Sequence, residues 1–394
     1  MPGFELIGEE ERRQVQEVLD SGVLMRYGFD GSRNGQWKCR ELEQQLAMRF
    51  GVRYAHVCSS GTAALSTALA ACGIGAGDEV ILPPFTFVAD LETVLSAGAV
   101  PVFAEIDQTL CLDPLSVEKA VTPKTKAVLV VHMCGAMARV DALQAVCRAH
   151  HLTLIEDAAQ AAGATFRGRA LGTFGKVGCL SFDYVKTITC GEGGALLTDD
   201  EGAYRLAQAF TDHGHDHLGA DRGADQHPHI GLNFRLSELH AAVGVAQLAR
   251  LDQILEVQRR HKAILKDGLA GIRRLSFRVV PDPEGDSSTF LSLLLPTQDE
   301  ARQAVKTLAE AGVDGCFYWY DNNWHYHRKW DHIKTLSSPA RLALDRFGYG
   351  ADLTKVALPQ SDAVMSRTIS MLIKLRWTEE QVRDKLARMK SALA

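Results

Sequence analysis

Short apolar runs alternate with helical patterns between about residue 60 and residue 200. The apolar runs predict strands at 79–84, 100–106, 126–133, 152–157, 178–184 and 193–198. Between them, apolar residues spaced three and four apart predict helices, as at 86–98 and 138–151. Strands that are apolar on both faces are typical of parallel sheets covered by helices. The pattern therefore predicts an α/β domain with a mostly parallel sheet.

The second part of the chain shows a different order of elements. A long helical pattern over 234–268 is followed by strand-like runs at 275–280 and 289–296, a helix at 298–312, and a final strand and helix. A helix of that length often connects a large domain to a smaller one. We therefore predict a large domain over residues 1–255, which includes an amino-terminal helix and a basic segment, and a small α+β domain over residues 256–394.

Composition excludes several classes of protein. With 46% hydrophobic and 23% charged residues, the chain has ample material for a globular core. A net charge of −5 argues against nucleic-acid binding, which needs a basic face. No apolar run is long enough to cross a bilayer, and the amino-terminal segment has the pattern of an amphipathic helix and not of a signal peptide, so we expect a cytoplasmic protein. The nine cysteines form no C-x-x-C pair, which predicts no zinc site.

One lysine, Lys186, follows an apolar strand and precedes the glycine-rich run 191–194. A lysine between such segments is commonly a solvated loop residue. A lysine that is desolvated beside a sheet has a lowered pKa instead, and it can attack an aldehyde to form a Schiff base. The glycines would let the backbone pass close to a ligand and re-enter a strand.

Three further features fall at the ends of predicted strands or helices, where ligands bind in open α/β sheets. The run 59–65 leads into a helix, and its start could bind a phosphate or be an ordinary N-cap. Phe85 or Phe87 could stack on a planar ring or belong to the core. Asp157 ends an apolar strand and could pair with a cationic ring nitrogen or cap the next helix.

A fifth feature completes this set at the start of the long helical pattern. Asn233 and Arg235 could bind a ligand there, or be a capping residue and a surface charge. Together the five features supply an amine for an aldehyde, a counter-ion for a ring nitrogen, a stacking aromatic and phosphate donors. These groups fit one ligand, pyridoxal 5′-phosphate.

At these residues the chain resembles the sugar aminotransferases of the DegT/StrS type, which have the aspartate-aminotransferase fold. The resemblance rests on "SSGTAAL", "EDAAQAAGA", "SFDYVKTITCGEGG" and "NFRLSELHAAVGVAQL" and covers nearly the whole chain. It implies a pyridoxal-phosphate-dependent transaminase in which Lys186 binds the cofactor and moves protons, while Asp157 pairs with the ring nitrogen. The other cofactor ligands that it implies are Gly61, Thr62 and Ser181 for the phosphate, Phe87 for the ring face and Gln160 for the ring hydroxyl.

The resemblance also implies a homodimer with shared active sites. Asn233 matches an asparagine that, in this family, reaches the phosphate bound by the neighbouring subunit. No nucleic-acid or membrane partner is implied.

Four other stretches, 25–43, 210–235, 281–292 and 315–330, resemble the branch of the family that makes 8-amino-3,8-dideoxy-D-manno-octulosonate. This compound is the amino form of the lipopolysaccharide sugar Kdo. The expected reaction moves an amino group from L-glutamate, which becomes 2-oxoglutarate, to the C8 aldehyde of a Kdo derivative. Because this sugar is an acid and arginine binds carboxylates well, the candidate substrate ligands are Arg26, Arg33, His215 and Tyr320.

Other interpretations of the same residues stay open. The basic segment could be a solvated patch, and the histidines between 213 and 229 predict loop or substrate contacts, not a metal site. The substrate could be a nucleotide-linked keto-hexose. A sugar dehydratase of this fold is disfavoured, because the resemblance implies histidine in place of Lys186 in such enzymes. The last alternative is a non-catalytic regulatory or binding protein of the same fold.

Overall fold

A computed structural model describes residues 3–219, 221–344 and 353–394 of the chain. Nine strands lie in its first part: β1 Tyr54–Cys58, β2 Glu79–Leu82, β3 Val100–Phe103, β4 Thr125–Val131, β5 Thr153–Asp157, β6 Thr165–Phe166, β7 Arg169–Ala170, β8 Val177–Ser181 and β9 Gly194–Thr198. Seven of them form one sheet in the order β1-β9-β8-β5-β4-β2-β3, and β6 pairs with β7 separately. Strand β9 is antiparallel to both neighbours, and the other six strands share one direction. The predicted mostly parallel sheet and the aspartate-aminotransferase fold are confirmed.

The helices of this part cover both faces of the sheet. They are α1 Glu9–Ser21, α2 Lys38–Phe50, α3 Gly61–Ala71, α4 Ala89–Ser96, α5 Pro114–Ala120, α6 Val140–Ala149, α7 Glu201–Thr211, α8 Glu238–Leu248 and α9 Leu251–Leu269. Strands β8 and β9 are buried along their whole length. This burial explains why their sequences are almost uniformly apolar.

The single long helical pattern predicted over 234–268 is two helices. Helix α8 ends at Leu248 and α9 begins at Leu251. The two helices pack on different partners, since α8 contacts α1 and α2, whereas α9 contacts the helix Glu379–Leu393. At the break, Arg250 donates from Nη1 to the carbonyl of Leu6, 2.6 Å away. Periodicity alone could not show the break, because apolar residues at helical spacing continue from α8 into α9 and the two helices are almost continuous in sequence.

A second, antiparallel sheet follows in the order β10-β11-β13-β12. Its strands are β10 Ser276–Phe277, β11 Phe290–Leu294, β12 Cys316–Phe317 and β13 Thr368–Leu372, and the helices of this part of the chain are α10 Gln298–Glu310, Asp331–Lys334, Pro359–Met365 and Glu379–Leu393. A separate apolar cluster lies under this sheet, with Leu265, Leu293 and Met389 among its members. Helix α9 runs across residue 255, and the domain limits 1–255 and 256–394 stay a prediction.

No helix among the described residues has the length and hydropathy that a bilayer-spanning segment requires.

Candidate active site

A cavity of about 560 Å³ opens where the parallel strands end. Five of its lining residues follow or end strands β1, β5 and β8, and we call them the floor: Gly61, Thr62, Asp157, Ser181 and Lys186. Four other lining residues come from the second part of the chain, and we call them the wall: Trp319, Asn322, Trp324 and His325. Phe87 and Gln160 lie between floor and wall. The cavity thus contains every cofactor residue expected from the sequence except Asn233.

Lys186 lies half-buried in the connection from β8 to β9. Its backbone is held on both sides, because its N–H donates to the carbonyl of Asp183 at 3.0 Å and its own carbonyl accepts from Gly3 N–H at 2.9 Å. Burial lowers the pKa of the Lys186 amine, and the negative charges of Asp157 and Asp183 oppose this effect in part. A lowered pKa increases the fraction of free amine, which is the nucleophilic form.

Asp157 ends strand β5 and has only 6% of its surface exposed. Its Oδ1 accepts the N–H of Ala159 at 2.7 Å. Burial raises the pKa of the Asp157 carboxyl, whereas the Ala159 N–H and the charge of Lys186 favour the ionised form. These two contacts favour an ionised Asp157 carboxyl at the bottom of the cavity, beside the lysine.

The preceding residue, Glu156, faces the other side of β5 and has a different role. It accepts from the backbone N–H of Gly175 at 2.6 Å and of Gly172 at 3.0 Å, and Nε2 of His132 lies 2.9 Å from it. Glu156 is fully buried and organises the turns that lead into β8. Two adjacent carboxyls thus have separate tasks, because successive side chains of a strand point to opposite faces.

The start of α3 forms a cluster of hydrogen-bond donors. Ser60 is its N-cap and accepts from Ala63 N–H at 3.0 Å. The first N–H groups of a helix, here those of Gly61 and Thr62, have no acceptor within the helix. A Cβ added at Gly61 would lie 2.7 Å from Cβ of Ser181, so glycine lets the helix start approach that serine closely. Backbone N–H groups, a helix start and two hydroxyls make a site that fits a phosphate.

Gln160 and Phe87 face the same cavity. The Oε1 of Gln160 accepts from Cys134 N–H at 2.9 Å, which leaves the amide nitrogen as a donor. The ring of Phe87 lies 5.8 Å from the ring of Trp324 at an interplanar angle of 14°. Its position beside the floor suits contact with a planar ligand.

The glycines after Lys186 have a different role from the one expected. A Cβ added at Gly194 would lie 2.3 Å from the carbonyl oxygen of Ser60, and one added at Gly193 would lie 2.4 Å from Sγ of Cys190. These glycines allow close packing of protein atoms and do not make room for a ligand. Of this run, Glu192 lines the cavity.

The wall is held by pairing between two distant parts of the chain. Thr86 N–H donates to the carbonyl of His325, and Val88 N–H donates to that of Trp324, each at 3.0 Å. The side chain of His325 lies with Nδ1 3.1 Å from Oδ1 of Asn322. Burial and the charge of Lys186 lower the pKa of His325 to about 3, so its imidazole is neutral. These four residues were not predicted individually, because only the aromatic and amide content of the segment pointed to them.

The four candidate substrate ligands lie outside the lining of this cavity. Arg26 is buried and donates to Glu43 at 2.7 Å and to the carbonyl of Val57 at 2.8 Å. Arg33 is also buried, with Nη1 3.7 Å from Glu238.

The other two candidates are similarly engaged. His215 lies 3.1 Å from Asp225, and Tyr320 packs at 5.6 Å on the ring of Tyr326. Because all four side chains already have buried or stacked partners, this arrangement does not support them as substrate ligands in their own chain.

Asn233 is exposed and is absent from the cavity lining of its own chain. Nearby, Arg235 donates to Oδ1 of Asp212 at 2.6 Å. The histidine-rich segment is held by Asp212 and Asp225, which contact Arg235 and the rings of His217 and His215. Across the part of the chain that the structure covers, no group of three or more His, Cys, Asp or Glu residues is arranged to hold a metal ion.

Comparison with known proteins gives consistent results. The model of the DegT/DnrJ/EryC1/StrS aminotransferase family matches residues 5–389. The chain is 42% identical over 269 residues to the L-glutamine:2-deoxy-scyllo-inosose aminotransferase of Micromonospora echinospora, a match that covers 66% of this chain and only 63% of that protein. It is 38% identical to the spore coat polysaccharide biosynthesis protein SpsC of Bacillus subtilis, with 70% of this chain and 68% of SpsC covered. The solved structure of an aminotransferase from Psychrobacter cryohalolentis superposes with a TM-score of 0.84 at 27% identity, over 98% of this chain and 96% of that one.

Proposed function

Because the chain belongs to the DegT/DnrJ/EryC1/StrS aminotransferase family, we propose that it transfers an amino group from an amino acid to the carbonyl carbon of a sugar. The observation that carries this proposal is one cavity that holds Lys186, Asp157 and the donors at the start of α3. These residues fit pyridoxal 5′-phosphate, the cofactor of the family. When bound, this cofactor supplies an electron-withdrawing ring that stabilises negative charge on the carbon that loses a proton.

Each floor residue has a defined task in this proposal. The Lys186 amine binds the cofactor's aldehyde carbon, and burial favours its nucleophilic form. Once the amino donor has displaced it, Nζ of Lys186 takes the proton from Cα of the donor and returns a proton to the substrate carbon in the second half of the reaction. The Asp157 carboxylate holds a proton on the ring nitrogen. Gly61, Thr62 and Ser181 bind the phosphate, and Phe87 and Gln160 orient the ring.

For the sugar, we propose the C8 aldehyde of a Kdo derivative, which would give 8-amino-3,8-dideoxy-D-manno-octulosonate for lipopolysaccharide. Four stretches of sequence support this substrate. The cavity itself favours a second candidate, because Lys186 is the one cation among its described lining residues, whereas Asp183 and Glu192 are acidic. A neutral keto-sugar needs no cation for a carboxylate, and the Micromonospora relative is named for such a substrate. A nucleotide-linked keto-hexose is the third candidate.

One experiment tests the activity and ranks the substrates. The purified protein with pyridoxal phosphate is incubated with the Kdo C8 aldehyde, 2-deoxy-scyllo-inosose or a nucleotide-linked keto-hexose, each with L-glutamate or L-glutamine. Mass spectrometry then detects the amine product, with the Lys186→Ala variant as a control. We expect an aminated sugar from one of the three; a yellow, cofactor-loaded protein that aminates none of them contradicts the proposed substrate class.

We also propose a homodimer in which each subunit contributes to the other's site. Asn233 supports this, because it is exposed and directly follows a stretch that contains the exposed apolar residues Ile230 and Leu232. Such a surface is suited to burial by a second copy. The test mixes two inactive variants, Lys186→Ala and Asn233→Ala, after mild dissociation. Mixed dimers contain one site with both residues intact, so activity should return; no recovery in dimers shown to be mixed contradicts shared sites.

A further inference from the structure

Asp90 is a buried carboxyl that sequence reasoning did not select. It is the second residue of α4 and follows Phe87 by three residues, and none of its surface is exposed. Its Oδ2 accepts from the hydroxyl of Thr86. Its Oδ1 is buried and has no hydrogen-bond donor among the described residues. Its carboxyl group interacts directly with the carboxyl group of Asp157.

Two carboxyl oxygens in this position need a proton between them. Two ionised carboxylates in contact repel strongly, and one of such a pair keeps its proton. Asp157 is the better anion, because it accepts the Ala159 N–H and is favoured by the charges of Lys186 and His132. Asp90 has one hydroxyl partner, and both burial and the neighbouring Asp157 favour its neutral form.

The surroundings of the pair contain few other charges. Lys186 faces it from the connection after β8, His132 from the end of β4, and the buried thiol of Cys179 from β8. The backbone start of α4 lies beside Asp90 and would favour a negative charge there. Against this effect, Oδ1 of Asp90 lacks a donor, and a proton shared with Asp157 would satisfy one oxygen of each carboxyl.

We propose that Asp90 is a positioning residue that keeps one proton and donates it in a hydrogen bond to Asp157. This proposal rests on the proposed function. The hydrogen bond would hold Asp157 as an oriented carboxylate toward the ring nitrogen of the cofactor. The proton that the two carboxyls share would then remain on Asp90, and the ring nitrogen would keep a separate proton.

The first test needs neither cofactor nor sugar. Infrared spectra of the apoprotein near neutral pH should contain a band from a protonated buried carboxylic acid. Asp90→Asn should remove this band. Asp141→Asn is a matched control, since Asp141 is also the second residue of a helix, α6, but is exposed. A band that persists in Asp90→Asn, or is absent from the wild-type spectrum, overturns the proposal.

The second test separates a hydrogen bond from simple packing. Asp90→Leu removes the donor and should lower the rate of the half-reaction with the amino donor by about 10- to 100-fold, the range for a hydrogen bond to a charged group. It should also shift the pH titration of the bound cofactor's absorbance. Asp90→Asn keeps a donor and should restore both to near wild-type values. Equal losses in the two variants contradict a positioning role.

The two tests also distinguish this proposal from the proposed function. If the chain were not an aminotransferase, wild-type protein would fail to form amine product while the infrared band stayed. If only the role of Asp90 were wrong, the wild type would be active and Asp90→Asn would leave the spectrum unchanged. Should Asp90→Leu fail to fold, the spectrum of Asp90→Asn still decides.

Discussion

The floor and the wall of the same cavity are built in different ways. Floor residues lie at the ends of neighbouring strands or at a helix start, where short-range geometry directs them into the cavity. The wall residues Trp324 and His325 are held at the cavity because residues 324–327 pair with residues 84–88, more than 230 positions away in the chain. The floor is therefore encoded locally, whereas the wall depends on tertiary pairing.

The two regions also differ in electrostatics. The floor holds groups whose pKa values are shifted by burial and by one another, such as the half-buried Lys186 and the buried Asp157. The wall is aromatic and neutral, and its outermost ring, that of Trp324, is 57% exposed. We infer that the floor carries the chemistry and the wall contacts the substrate. Changes in the floor should act on kcat, and changes in the wall should act on KM.

The largest expected effect comes from Lys186→Ala. Loss of the amine removes both the covalent link to the cofactor and the group that moves protons, so kcat should fall by about 10,000-fold or more. Stopped-flow measurement of a single half-reaction checks this. Lys176→Ala, which removes an exposed lysine paired with Asp200, should keep normal turnover. A Lys186→Ala variant that keeps more than a trace of turnover breaks the assignment of the floor.

Substitution of Asp157 should give the next largest effect, and the adjacent Glu156 provides a matched comparison. Asp157→Asn should lower kcat by about 100- to 1,000-fold and leave thermal stability nearly unchanged, because an amide fills the same volume but holds no negative charge. Glu156→Gln should lower stability instead, because Glu156 accepts the backbone N–H groups of Gly172 and Gly175. Activity assays and urea unfolding of both variants check this; the opposite pattern would reverse the roles of the two sides of β5.

Arg26 tests whether the basic segment belongs to the substrate-binding wall. Arg26→Met leaves Glu43 without its closest cation and should lower the free energy of unfolding by about 3 kcal/mol. The KM for the sugar should change by less than about 3-fold, which is the size of effect expected from a substitution away from the substrate site. Arg40→Met, at an exposed arginine stacked on Trp37, is the control. A large rise in KM with unchanged stability would make Arg26 a substrate ligand after all.

The protonation of Asp90, beside the floor residue Asp157, can be tested without cofactor through the pH dependence of stability. The pKa of Asp90 in the folded state is well above its ordinary value of 3.8, so above about pH 4 this carboxyl binds more proton in the folded apoprotein than in the unfolded chain. The contribution of Asp90 to the free energy of unfolding therefore falls as pH rises, by at most about 1.4 kcal/mol per pH unit. Asp90→Asn should remove this slope in urea unfolding between about pH 4 and pH 7. Parallel curves for the two proteins would show that Asp90 is ionised.

What could be predicted from the sequence follows the same division. Asp157, Ser181 and Lys186 were identifiable because each follows an apolar strand, and the strand ends of a parallel sheet meet at one edge. Asp90 was missed although it is an acid in an apolar helix, since an acid in the first turn of a helix is ordinarily a capping or dipole feature.

The substrate ligands are hard to predict from the sequence for a different reason. In the sequence, Arg26 and Arg33 resemble cations that are free to bind a substrate. The sequence does not show that they pair with Glu43 and Glu238 in the folded chain. Tyr320 was chosen over its neighbours Trp319 and Trp324, and only the pairing with residues 84–88 determines which of these rings faces the cavity.

Trp324→Ala should give the smallest effect and the sharpest test of the wall. Its ring stacks on Phe87 and is half-exposed at the mouth, so its loss should raise the KM for the sugar by about 10-fold, as expected for one aromatic contact of about 1 kcal/mol or slightly more. The kcat should stay within about 3-fold, because no floor residue changes. Trp377→Ala removes a ring that lies near His261, away from the cavity, and serves as control. The affinity for pyridoxal phosphate should also be measured. A lower affinity would show that Phe87 has lost its position, whereas an unchanged affinity would show that only a substrate contact is lost. If kcat falls with KM unchanged, the wall takes part in the chemistry and the division between floor and wall is wrong.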